Sequence, residues 1–277
     1  LEVKEGDELN LGKHTLSFHF TPMVHWPESM VSYEKINGIL FSADAFGSFG
    51  TLDGGIFDDE LNLCFFEDEM LRYFANIVGK YCAPTQKALK KLSALDLKMI
   101  APLHGPIWRD NLDWVISRYD KWSRYELQKG VLIVYGSMYG NTEKIAEALA
   151  RKLSEHGIKD IRLYDASKTH PSYIIRDLFR YKGFMIGSVA YNNQLFPSIE
   201  SLVHKIQHMG VKNHLLGIFG SFSWNGGGVK NLKKFANEIN WDLVYDPIEE
   251  KGSLKGDKLF LINEMAKNMA DRLNEEA

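Results

Sequence analysis

The chain has 277 residues, 45% of them hydrophobic, enough for one large domain or two moderate ones with a sizeable core. A formal net charge of −3 with scattered basic residues excludes nucleic acid and anionic membrane as default partners, and no run is long and apolar enough to span a bilayer. Cys64 and Cys82 are the only cysteines, the usage expected of a reduced, cytoplasmic protein.

The start, Leu1-Glu2-Val3-Lys4, has no initiator Met and no basic-then-apolar leader, and Glu5-Gly6-Asp7-Glu8 reads as a turn between strands. The chain is therefore expected to begin inside a fold; a trimmed or processed terminus would give the same start. Residues 1–50 are strand-like. Leu9, Leu11, Leu16, Phe18 and Phe20 fall at strand spacing around Gly12-Lys13, and Ile39-Leu40-Phe41-Ser42 is a short strand ending at Asp44. Asp68–Tyr81 and Thr85–Leu95 read as helices separated by Pro84. Met99-Ile100-Ala101 is a short buried strand ending at His104-Gly105-Pro106, and Asp110–Tyr125 is a helix with Trp114, Tyr119 and Trp122 available for packing.

Gln128-Lys129-Gly130 is the expected junction. After it, strands at 131–135, 160–164, 183–187 and 214–219 alternate with helices at about 142–155, 171–181, 197–208 and 227–239. A weaker strand at 243–245 and a helix at about 256–274 follow. Such alternation predicts a parallel sheet covered on both faces, with ligands beyond the strand C-termini near the switch point.

Three strand ends carry loops with binding chemistry. Ser137-Met138-Tyr139-Gly140-Asn141-Thr142 follows an apolar strand and opens a helix. Backbone N–H groups and the helix dipole favour an anion there, and Ser137 and Thr142 can add hydroxyl donors. No Lys follows, so a nucleoside triphosphate loop is excluded, and no Gly-x-Gly-x-x-Gly fingerprint is present. The second loop is Ser188-Val189-Ala190-Tyr191-Asn192-Asn193; the third is Ser221-Phe222-Ser223-Trp224-Asn225-Gly226, with Gly227 and Gly228 behind it. Tyr191 and Trp224 can stack on a planar ring while Asn192, Asn193 and backbone groups address its polar edge. Gly and Asn are turn residues anywhere. Three such loops on one sheet edge point to FMN, whose single phosphate suits the short first turn.

The first half holds a different chemistry. His25 in Pro22-Met23-Val24-His25-Trp26-Pro27-Glu28, Asp44 in Phe41-Ser42-Ala43-Asp44-Ala45-Phe46-Gly47 and His104 in His104-Gly105-Pro106-Ile107-Trp108-Arg109 each sit in a loop after a strand-like run. Imidazoles and a carboxylate suit iron, zinc or manganese, and a carboxylate can bridge two ions. Singly, each has an ordinary alternative: a lone His is more often a hydrogen-bonded structural residue, and Asp44 could cap a turn. His14 and His19 sit in a hairpin and are expected to be structural or exposed.

In this order and combination, these motifs resemble the flavodiiron proteins, or A-type flavoproteins, over nearly all of the chain. The resemblance implies an α/β protein. The C-terminal half of a metallo-β-lactamase-like αββα domain would occupy residues 1–128, followed by a flavodoxin-like three-layer domain with a parallel sheet over 129–277. It implies that His25 binds one iron, His104 the other, and Asp44 bridges them. FMN would relay electrons from a rubredoxin-like donor, and O2, NO or both would be reduced. No Cys-x-x-Cys pairs follow the second half, so the donor is expected to be external, and the functional unit is expected to be a head-to-tail homodimer.

The departures shape the expectation. The family's His-x-Glu-x-Asp-His segment, which supplies the remaining metal ligands, is missing; it would come from a lost N-terminal part or a separate polypeptide. Leu103 stands where a small or polar residue is common, and Val189-Ala190 where Pro-Thr is frequent. The alternative is an electron-transfer flavoprotein without terminal reductase activity. A zinc hydrolase of the lactamase type is a third reading, which leaves the flavin unemployed.

Overall fold

The computed structural model describes residues 2–275. The chain divides into two compact units, one running up to Glu126 and the other from Leu127.

The first unit is built on a five-stranded sheet: β1 (Glu8–Asn10), β2 (Thr15–Phe20), β3 (Met30–Glu34), β4 (Ile39–Phe41) and β5 (Met99–Ala101), in that spatial order. All pairs are antiparallel except β4 with β5. Strand β3 is an addition to the elements read from the sequence. The register gives the sheet two unlike faces. Val31, Tyr33, Leu40 and Ile100 share one face and are buried. Val31 lines a small cavity with Thr85, Ala88 and Tyr119, and the Tyr33 hydroxyl donates to the Asp96 carbonyl. The other face carries Leu16, Phe18, Phe20, Met30, Ile39, Phe41 and Met99, and leaves Phe20 37% and Phe41 47% exposed.

The helices of this unit are α1 (Leu63–Tyr73), α2 (Cys82–Leu92) and α3 (Leu112–Ser123). Helix α1 begins five residues before Asp68, because the Asn62 side chain accepts from Cys64 N and caps it. Pro84 does not separate two helices. It lies in the first turn of α2, where its missing N–H has no intrahelical partner to lose. A π-helical turn, Phe74–Val78, and a 3-10 turn, Gly79–Tyr81, carry the chain from α1 into α2. Phe74, Tyr119 and Trp122 pack ring on ring with centroids 5.0 to 6.0 Å apart.

The second unit alternates β6 (Gln128–Gly136), α4 (Asn141–Glu155), β7 (Ile161–Asp165), α5 (Pro171–Leu178), β8 (Tyr181–Val189), α6 (Pro197–Met209), β9 (Leu215–Phe222) and α7 (Gly228–Ile239). Two short strands, β10 (Asp242–Leu243) and β11 (Ile248–Lys251), precede α8 (Leu259–Glu275). The sheet order is β10-β9-β8-β6-β7, with β11 also on β9, and every pair is parallel. Gln128-Lys129-Gly130, read as a junction, is the first part of β6. The strand expected at 243–245 is instead two pieces, β10 on the start of β9 and β11 on its end.

Alternation sets the core. Val131, Ile133 and Tyr135 of β6 join Met185, Leu215 and Phe219 in a buried cluster with Ile145 and Leu149 of α4 and Ile262, Met265 and Met269 of α8. Leu132 and Val134, equally buried, face the other side. The strand order is the 2-1-3-4-5 arrangement of flavodoxin-like folds, whose switch point lies between β6 and β8. Among the described residues, no helix is long and apolar enough to cross a membrane.

Candidate functional site

The loops at the C-terminal ends of β6, β8 and β9 are drawn together at that switch point. The first turn closes on itself, the Gly140 N–H donating to Ser137 Oγ at 3.1 Å. Gly140 precedes α4 with φ +80°, and no side chain caps this end. The first N–H groups of a 15-residue helix are thus left for an external acceptor. Thr142 is fully buried, and its hydroxyl shares a 2.8 Å hydrogen bond with Ser221 Oγ, so it joins the first loop to the third.

The second loop is a tight turn. Tyr191 and Gln194 exchange backbone hydrogen bonds of 3.1 and 2.8 Å across Asn192 and Asn193, which both have positive φ. Ser188 and Val189 belong to β8, and Ser221 and Phe222 to β9, so these loops are shorter than the sequence reading had them. The Ser188 hydroxyl donates to the Val189 carbonyl and accepts from Phe196 N, while the Ala190 N–H donates to the Ser221 carbonyl at 2.8 Å.

Glycine is required where the third loop lies on the second. A Cβ on Gly227 would stand 2.4 Å from the Asn193 carbonyl oxygen, and one on Gly220 2.5 Å from that of Ser188. Asn231 seals the junction, its Nδ2 donating to the Gly227 and Asn193 carbonyls at 2.8 and 3.3 Å. Trp224 and Tyr139 are 82% and 80% exposed, so both rings are free to take a planar ligand. Met138 and Tyr191 are also exposed on this edge.

In the first unit the structure gathers His25, Asp44 and His104. His25 Nε2 lies 3.3 Å from Asp44 Oδ2, and His104 Nε2 lies 3.2 Å from Asp44 Oδ1. One carboxylate therefore addresses a different imidazole with each oxygen. The three line a cavity of roughly 500 Å³ with Ser48, Phe49, Tyr73, Ile77 and Leu103. Ala43 and Phe46, on either side of Asp44, both adopt positive φ, uncommon for such residues and characteristic of constrained sites. Gly105 lets the His104 segment lie against Ser48, where a Cβ would approach Ser48 N to 2.9 Å, and Ser48 N–H donates to the His104 carbonyl.

Two residues of this site escaped the sequence reading. The Tyr73 hydroxyl faces the Asp44 carboxylate, and burial together with that charge pushes the phenol well above its usual range. Tyr73 ends α1 immediately before the π-helical turn, a distortion frequent at functional sites. Trp108, fully buried, donates its indole N–H to the Phe46 carbonyl at 3.0 Å and so ties the His104 segment to the Asp44 loop. A helical period marks Tyr73 only as one more core aromatic. His14 and His19 have structural partners, Glu34 for the first and Ser17 and Glu5 for the second.

A pair of irons asks for more donors than this cavity offers. Two imidazole nitrogens and one carboxylate with an oxygen toward each would supply only part of the ligands of such a pair. Among the described residues, no group of three or more His, Cys, Asp or Glu is placed to hold a metal ion. The three residues therefore do not make a complete di-iron shell.

A parallel flavodoxin-type sheet following a lactamase-type sheet in one chain defines a two-module class of α/β proteins. Residues 133–259 match the Flavodoxin family, and residues 2–105 match the ODP family beta lactamase. The chain is 32% identical over 270 residues to an uncharacterized protein of Methanocaldococcus jannaschii, covering 97% of this chain and 68% of that one. It is 35% identical over 239 residues to the anaerobic nitric oxide reductase flavorubredoxin of Aliivibrio fischeri, covering 83% of this chain and 47% of the relative. Among solved structures, the rubredoxin oxygen:oxidoreductase of Desulfovibrio gigas superposes with a TM-score of 0.94 at 30% identity, over 99% of this chain and 69% of that one. The chain belongs to the flavodiiron protein family, and it spans about half the length of the flavorubredoxins it matches.

Proposed function

We propose that the second unit binds FMN and that the first supplies one side of a di-iron centre in an oxygen or nitric oxide reductase. The observation that carries this reading is the Asp44 carboxylate, with one oxygen turned to His25 and the other to His104. It stands in a chain that also carries the three-loop edge of a flavodoxin-type sheet.

On this reading the uncapped first turn of α4 holds the phosphate, and Ser137 and Gly140 shape its seat. Met138, Tyr139, Asn141 and Thr142 complete that turn. Trp224 and Tyr191 flank the ring, while the backbone of Ser188 to Asn193 and of Ser221 to Gly226 addresses its edges. FMN, when bound, supplies one- and two-electron transfer. The remaining metal ligands come from polypeptide outside these residues, which also covers the open face of Phe20 and Phe41. The substrate is O2 or NO, the donor is rubredoxin-like, and the assembly is a head-to-tail homodimer in the cytoplasm. Support comes from the flavorubredoxin and rubredoxin oxygen:oxidoreductase relatives.

The test is a visible spectrum with metal analysis. The chain alone is expected to retain FMN and hold iron weakly. Adding the missing half-domain is expected to bring two irons per FMN and gas reduction. The incomplete donor set favours a second reading, an electron-transfer flavoprotein without reductase activity. A complete assembly that stays iron-free and only shuttles electrons would establish that alternative.

A further inference from the structure

Against the third loop stands a carboxylate that no partner neutralises. Strand β11 lies parallel to the end of β9, with Glu249 opposite Gly220, Glu250 opposite Ser221 and Lys251 opposite Phe222. Alternation turns Ile248 and Glu250 to the core face, where both are buried, and Glu249 to the other face. There its side chain lies against Gly226: a Cβ on that glycine would stand 3.1 Å from Glu249 Oε1 and 3.0 Å from Oε2. Oε1 is buried and accepts no hydrogen bond, and Glu249 forms no ion pair among the described residues. Its neighbour gives the contrast, since Lys258 Nζ lies 2.8 Å from Glu250 Oε1. Lys251, which shares the Glu249 face, is exposed, and water screens its charge far more than that of a buried oxygen.

A buried acceptor left without a donor is costly, so its presence calls for a reason. The backbone N–H groups of Trp224 to Gly227 also have no partner among the described residues, and no side chain caps α7, which begins at Gly228. A loop rich in free donors, leading into the positive end of a helix, favours a negative charge beside it. The charge of Glu249 is thus held in place by the field of the loop rather than by a counter-ion.

We propose that Glu249 biases the bound flavin toward its oxidised form. The proposal rests on the flavin reading above, in which the backbone of Ser221 to Gly226 addresses the ring. Uptake of two electrons and one proton leaves the ring with one negative charge more than it had. A fixed negative charge behind the loop that holds the ring therefore weakens binding of the reduced form relative to the oxidised one, and poor screening at a buried oxygen strengthens the effect. A difference in affinity between two redox states is a shift in potential. A purely structural role, in which Glu249 does no more than complement the positive end of α7, would change stability and leave that difference alone.

The experiment uses the FMN-loaded full chain. Fluorescence titration gives the Kd of oxidised FMN, and dithionite titration at pH 8 against a dye of known potential gives the two-electron potential of the bound flavin. Comparison with free FMN then yields the ratio of the reduced to the oxidised Kd. Glu249→Gln is expected to lower that ratio at least tenfold, which raises the potential by about 30 mV. Glu249→Asp keeps the charge and is expected to stay within about threefold of the wild type. Glu238→Gln removes an exposed charge near the far end of α7 and is expected to leave the ratio unchanged. Thermal unfolding of the flavin-free chain is read for each variant. An unchanged ratio in Glu249→Gln, whether or not stability moves, would overturn the proposal. So would the same shift in Glu238→Gln, or a shift in Glu249→Asp as large as that in Glu249→Gln. A chain that takes no FMN would overturn the flavin reading and the proposal with it, whereas one that takes FMN with an unmoved potential would overturn the proposal alone.

Discussion

Thr142 and Ser221 share a buried 2.8 Å hydrogen bond that joins the first turn of α4 to the end of β9. Thr142→Val keeps the shape and strands the Ser221 hydroxyl, which is expected to cost about 1–3 kcal/mol of stability in urea unfolding. Adding Ser221→Ala removes the stranded group and is expected to restore part of the loss. A double variant no more stable than Thr142→Val would show that the bond is not what joins these elements.

Gly227 is expected to be intolerant for a reason unrelated to its own backbone. Its φ of 169° is extended and open to any residue, but a Cβ would meet the Asn193 carbonyl at 2.4 Å. Gly227→Ala is therefore expected to part the second and third loops and weaken FMN binding roughly tenfold, about 1.4 kcal/mol. Gly157→Ala, at a positive φ with nothing near its Cβ, is the control that strains the chain without moving the loops. Flavin fluorescence titration reads both.

Metal and flavin effects are expected to separate. In a complete assembly, Asp44→Asn should lower occupancy of both irons while keeping FMN, because a neutral amide is a poorer bridge between cations. His25→Ala and His104→Ala should each lower one. Trp224→Ala should weaken FMN or shift its potential with both irons retained. Iron and FMN stoichiometry decide the matter, and two irons in Asp44→Asn would end the bridging role.

His214 gives the second unit a pH dependence. Its Nε2–H donates to the Leu178 carbonyl at 2.8 Å, its ring stacks on Trp241, and burial holds its pKa down to about 4. The unfolded chain titrates near the ordinary value of about 6.5, so between the two values the unfolded state binds the extra proton. The contribution is fully present above the unfolded value and is lost as pH falls toward the folded one, on the order of 3 kcal/mol in all. His214→Gln is expected to flatten that slope in thermal melts between pH 4 and 7. An unchanged slope would assign it to other groups.

The alternating second half was legible because short apolar strands such as Val131–Tyr135 and amphipathic helices such as α4 differ in period. The gathering of His25, Asp44 and His104 was anticipated through motifs rather than periods. Strand β3 was covered only by the general strand-like reading of residues 1–50, because the alternation Val31-Ser32-Tyr33-Glu34 is too short to set its bounds. The start of α1 depended on one Asn62 cap within a loop-like run. Tyr73 and Trp108 gave no signal, because their polar atoms matter only through groups 29 and 62 positions away in the chain, Asp44 and Phe46.

The half-open sheet of β2, β3 and β4 also sets an order in time. Phe20 and Phe41 are 37% and 47% exposed on one face of these strands, and apolar surface left open in this way is a route to aggregation while a chain folds. On the proposed reading, the covering polypeptide has to be present as these strands form. On that reading metal loading would follow the packing of that polypeptide, and self-association of the chain on its own would report competition for the same face.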